Sequence, residues 1–113
     1  MNGHIHIIHP DGSVEGIALH REPTLDDLKS AIGGGHVEKV PNFVKFKTGI
    51  GVLDCVAIAD EDGLQKKLPP NEVATLAWAA SFAITQPTRP VRVSTLVGPV
   101  AVITGDKEFM RAL

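Results

Sequence analysis

Apolar and polar positions alternate over residues 3–8, Gly-His-Ile-His-Ile-Ile, which predicts a strand. The turn-forming run His9-Pro10-Asp11-Gly12-Ser13 follows, and alternation resumes over 14–20. If Ile5 pairs with Ile17, then Ile5, Ile7, Ile17 and Leu19 share one face, and His4, His6 and Ile8 point the other way. The two segments predict a β-hairpin. Thr24-Leu25-Asp26-Asp27 opens a helix: Thr24 caps it, and two aspartates fill the first turn, where the helix dipole favours negative charge. Leu25, Leu28 and Ile32 form its apolar stripe. Gly33-Gly34-Gly35 ends it, because glycine takes the left-handed conformation freely.

Residues 36–40 predict a strand that Pro41 ends or confines to an edge. Residues 43–47 alternate again, Val44 and Phe46 on one face, Lys45 and Lys47 on the other. Thr48-Gly49-Ile50-Gly51 makes a turn. Residues 52–59 are nearly all apolar and rich in β-formers, so they read as one central strand. Asp60-Glu61-Asp62-Gly63 closes it. Pro69-Pro70-Asn71 introduces a second helix from Glu72 to about Ile84, capped by Asn71. Val73, Leu76, Ala77, Ala80 and Ile84 form its sheet-facing stripe, and Trp78 and Phe82 lie on another side. The connector Gln86-Pro87-Thr88-Arg89-Pro90 leads to a short strand over 91–95 and a stronger one over 100–103. A last helical turn falls within 106–113. The expectation is one α+β domain over residues 1–113: a mostly antiparallel sheet of about five or six strands with two helices packed on it.

Composition narrows the class. A chain of 113 residues, 43% hydrophobic and 21% charged, is a globular domain and neither a disordered tail nor a low-complexity linker. A net charge of -2 supplies no basic field for nucleic acid, and four Phe and one Trp with no Tyr are few for base stacking. One cysteine cannot form an internal disulfide. The first residues carry no basic and apolar leader. The longest apolar run, 96–103, is broken by Gly98-Pro99 and too short for a bilayer. These features point to a cytoplasmic chain with neither membrane nor nucleic acid as partner.

The candidate chemistry is sparse. His4 and His6, two apart on one strand face, with His9 and His20 nearby, have chelating geometry, but zinc needs three or four ligands with a second shell, so a solvated hairpin face accounts for them. Asp54, Asp60, Glu61 and Asp62 suit a magnesium site less well than a solvated turn. The triple glycine follows a helix, whose C-terminal dipole end repels phosphate. Cys55 sits in an apolar strand as inert packing. No metal, cofactor or catalytic residue is assigned. Lys39, Lys45 and Lys47, placed on one face of adjacent strands, together with Arg92 form a candidate ligand-phosphate patch; the alternative is a solvated face that guards an edge. Trp78 and Phe82 are the candidate protein-interface anchors, because a chain this short has little core to spare for both sides of a helix. The alternative is that a loop or the Phe109/Met110 segment covers them.

Four stretches carry a resemblance: Ile7-Ile8-His9-Pro10-Asp11-Gly12 with its return strand; residues 25–40 with Val37-Glu38-Lys39-Val40; residues 55–71 with Leu68-Pro69-Pro70-Asn71; and Leu96-Val97-Gly98-Pro99-Val100-Ala101-Val102-Ile103-Thr104-Gly105-Asp106. In that order the chain resembles a small domain-of-unknown-function family encoded mainly by phages, prophages and plasmids. The segment around 43–51 and the apolar helix 72–84 depart from its shortest members. The resemblance implies no reaction. It implies a non-enzymatic accessory protein of a mobile element that binds a host macromolecule, of anti-defence type, in the cytoplasm of a bacterial host. A homodimer is an accompanying expectation. The second reading is a nucleotide or small-molecule sequestering protein with its pocket at a subunit interface.

Overall fold

The first hairpin forms in the register its alternation predicts. In the computed structural model, which describes residues 1–113, β1 (Gly3–Ile8) and β2 (Val14–Leu19) pair antiparallel with Ile5 opposite Ile17. His9 N donates to Ser13 O and Gly12 N to His9 O; Gly12, at φ +89°, supplies the left-handed residue of the turn. Helix α1 (Leu25–Ala31) starts in a capping box, with Asp27 N donating to Thr24 Oγ1 and Thr24 N donating to the Asp27 carboxylate. Its buried side is Ala31 and Ile32 with Leu28 beside them, and Leu25 stays in solvent. The expected stripe is thus shifted, because a helix of two turns buries only the end that meets the sheet.

The apolar run over 52–59 divides. β5 (Gly51–Asp54) pairs with β4 (Lys45–Thr48) in a separate two-stranded ribbon, whereas β6 (Val56–Asp60) enters the main sheet. The break is at Cys55, whose N donates to Val44 O and whose Sγ donates to Phe43 O at 3.6 Å. The backbone there crosses from one sheet to the other. The two segments differ in burial: β6 is covered on both faces, while β5 is mostly exposed with Leu53 alone half-buried. The 91–95 segment also forms no strand. The chain is anchored just after it, by Leu96 N donating to Thr75 Oγ1, by Asn71 N donating to Leu96 O and by an isolated bridge between Pro70 and Val97.

The main sheet has the order β2-β1-β7-β6-β3, with β3 (Val37–Lys39) and β7 (Val100–Gly105), and every pairing is antiparallel. β3 is an edge strand, as Pro41 requires. One sheet face buries Ile8, Ala57, Ala59, Val100 and Val102 beneath helix α2 (Glu72–Thr85) and Phe43. The other buries Ile5, Ile7, Ile58, Ala101 and Ile103 beneath α1 and the Phe109 of α3 (Lys107–Met110). The result is α+β in three layers, with period-2 alternation in β1, β6 and β7 feeding two cores. Gly3 and Gly105 face each other across β1 and β7, and the Phe109 ring lies on both. A Cβ on Gly3 would overlap that ring.

Candidate functional site

Helix α2 is the element whose orientation decides the surface. Asn71 caps it with Oδ1 accepting from Ala74 N at 3.1 Å, while its amide donates to Ile8 O at 2.8 Å and Gly98 O at 2.9 Å. This fully buried side chain fixes the helix start over the ends of β1 and β7. Farther along, Trp78 Nε1 donates to Pro41 O at 2.7 Å. Ser81 Oγ accepts from Val44 N at 3.0 Å and Lys45 N at 3.1 Å, and donates to Asn42 O at 3.0 Å. A hydroxyl has one donor and two acceptor sites, so Ser81 is saturated. Asn42 reaches this bond in a left-handed conformation, φ +63°, which Asn tolerates better than most residues.

These bonds turn the helix opposite to the sequence expectation. Ala74, Trp78, Ser81 and Phe82 face inward, and Trp78 and Phe82 are each only 8% exposed within this one chain. They are core residues and offer no free anchor surface. The correction has a physical reason. With Trp78 and Phe82 inward the helix also satisfies buried backbone groups, through Ser81 for the ribbon and through the Trp78 indole for Pro41. The outward stripe is therefore Val73, Leu76, Ala80 and Ile84, with Leu76 70% exposed. Glu72 is the only charged residue of the helix. An exposed helix face normally carries charge, and this one does not. A hollow of about 380 Å³ opens at its N-terminal end beside Pro70, Thr75, Leu76 and Thr95.

The lysines do not form one patch. Lys39 lies in β3 at the edge of the main sheet, whereas Lys45 and Lys47 lie in the β4–β5 ribbon, so they are not on adjacent strands. The cause is the break at Cys55. Lys45 forms an ion pair with Asp54, its cross-strand neighbour. Lys39 borders a hollow of about 290 Å³ shared with Glu38, Asp60, Glu61 and Trp78, an acidic lining that disfavours phosphate. Arg92 stands exposed in the irregular 86–96 segment.

His4 and His6 stack at 5.9 Å between centroids, and His6 packs on Phe46 of the ribbon at 5.3 Å. His6 Nε2 lies 3.2 Å from Thr104 Oγ1. Burial, then the neighbouring His4, hold the His6 pKa below its usual 6.5. His9 pairs with Glu15, His20 with Asn2 and His36 with Asp62, so the histidines are spread over separate partners. No group of three or more His, Cys, Asp or Glu is placed to hold a metal ion. In the acidic turn Asp60 is buried; its carboxylate accepts from Lys66 Nζ at 2.6 Å and Asp62 N at 2.9 Å, and Lys66 holds its pKa down. Burial pushes the Cys55 thiol up to about 12, against thiolate chemistry. No helix is long and apolar enough to cross a membrane.

The surface that sequence reasoning missed is the outer face of α2, together with the outer edge of β2. The signal for the first was present: residues 74, 78, 81 and 82 are also a one-sided helical set, and the polar atoms of Trp78 and Ser81 needed buried partners. No protein-family model, curated protein or solved structure matches the chain.

Proposed function

We propose that this protein acts by stoichiometric binding, seating a protein partner on the outer face of α2. The observation that carries the reading is the uncharged Val73, Leu76, Ala80 and Ile84 stripe on a helix whose opposite side is already packed. The sequence resemblance supplies the setting: an accessory protein of a phage or other mobile element whose partner is a host defence or regulatory protein. Lys39, Lys45 and Lys47 are spread over two sheets, which gives the nucleotide-sequestering alternative less support.

The test compares wild-type and Leu76→Asp/Ile84→Asp chains as bait in a bacterial host lysate, followed by reconstitution with the purified partner. A defined one-to-one complex that the folded double variant fails to form is the expected result. Full binding by the folded variant overturns the reading. So does a nucleotide or metal that native mass spectrometry finds on the purified chain.

A further inference from the structure

The two edges of the main sheet are finished differently. β3 is three residues long, includes Glu38 and Lys39 and runs into Pro41, all devices that discourage strand addition. β2 has six residues, no lysine, no proline and no covering element. Five of its six residues are exposed, among them Val14 at 56% and Ile17 at 37%. His9 N bonds to Ser13 O, which sets the hydrogen-bonding phase of the hairpin. Glu15, Ile17 and Leu19 therefore direct N–H and C=O toward β1, and Val14, Gly16 and Ala18 direct theirs outward with no partner.

We propose that β2 pairs antiparallel with β2 of a second copy of this chain, joining two sheets into one of ten strands, centred on Ile17 opposite Ile17. Pleat parity restricts the symmetric registers to those centred on a residue, because opposed residues must share a face. The Ile17-centred register sets Gly16 across from Ala18, whose outward backbone groups then bond to each other. Ile17 meets Ile17 as a non-hydrogen-bonded pair, the closest side-chain approach in an antiparallel ladder. Charge is compatible with this arrangement: Glu15, the only charge in β2 and bonded to His9 of its own chain, lies across from Leu19, and the symmetry keeps the two Glu15 side chains four residues apart. A register centred on Gly16 would instead oppose two glycines and set Glu15 against Ile17. On the α1 side, a groove of about 340 Å³ floored by Ile5, Ile7, Ile17 and Leu19 lies along this edge and becomes continuous across the pair.

The experiment is sedimentation velocity over a broad concentration range, with three variants checked for folding by circular dichroism. Wild-type chain is expected to show a reversible monomer–dimer equilibrium, and Ile17→Lys to remain monomeric at every concentration. Under mild oxidation Ile17→Cys should form a covalent dimer readily, because opposed non-hydrogen-bonded positions suit a disulfide; Ala18→Cys should do so at least tenfold more slowly, and buried Cys55 stays out of the reaction. A wild-type chain that stays monomeric throughout overturns the proposal. So does dimerisation unaffected by Ile17→Lys, equal cross-linking at positions 17 and 18, or a β2 edge occupied only by a strand of another protein. Leu76→Asp leaves this dimer intact, so the two surfaces fail or stand separately.

Discussion

The indole N–H of Trp78 donates to the carbonyl of Pro41 at 2.7 Å, tying the middle of α2 to the residue that ends the β3 edge. The ring fills the core while its one polar atom is satisfied by backbone. Trp78→Phe keeps most of the apolar area and orphans that carbonyl, so it should cost about 1–3 kcal/mol. Trp78→Ala should cost about 3–5 kcal/mol, since it adds a cavity. Urea unfolding of the two variants checks both the order and the gap.

Asn71 distinguishes a cap from a cross-brace. Asn71→Asp preserves the acceptor for Ala74 N but removes both donors and sets a carboxylate against the carbonyls of Ile8 and Gly98. It should therefore be more destabilising than Asn71→Ala, although Asp is normally as good an N-cap as Asn. A loss on the order of 3 kcal/mol is expected for the Ala variant, combining the cap with two orphaned carbonyls. An Asp variant as stable as wild type would show that the amide donors contribute nothing.

His6 makes stability depend on mild acid. Its folded pKa lies below 6.5, so between those two values the unfolded chain holds more protons than the folded one. Stability from this group is complete above about pH 6.5 and falls as pH drops through the folded pKa. Thermal melts from pH 7.5 to 5 should show the decline, and His6→Gln should flatten it. His4→Gln should shrink the effect without abolishing it, because burial outweighs the His4 charge.

Gly3→Ala tests the docking of α3. The added methyl meets the Phe109 ring, which must move or force the β1 end away from β7. Stability should fall by about 1–3 kcal/mol, the usual range for overpacking, and near-ultraviolet or NMR signals of Phe109 should shift. Gly49→Ala, in open space in the turn between β4 and β5, is the control and should be nearly silent.

The hairpin register was legible because pairing Ile5 with Ile17 keeps Ile5, Ile7, Ile17 and Leu19 on one face and leaves the turn formers 9–13 as the connection. The caps at Thr24 and Asn71 were legible because their side-chain chemistry is local. Helix α2 was not, since it is apolar almost all round and its sequence supports two opposite faces. The choice was made by partners distant in sequence: Pro41 for Trp78, and Asn42 with Val44 for Ser81. The division at Cys55 was hidden for a similar reason. The only sign in the run was Asp54, the last residue of β5, which interrupts an otherwise apolar stretch just before the break.

That division separates two folding units along one covalent thread. The ribbon of β4 and β5 has only two strands, and its hydrogen bonds are shared with no third strand. Its anchorage is Ser81, Phe46 and the Cys55 crossing. Two strands alone are marginal in water. Amides of the ribbon should therefore exchange with solvent deuterium through a local opening, well before those of β7, whose release requires the whole sheet to come apart.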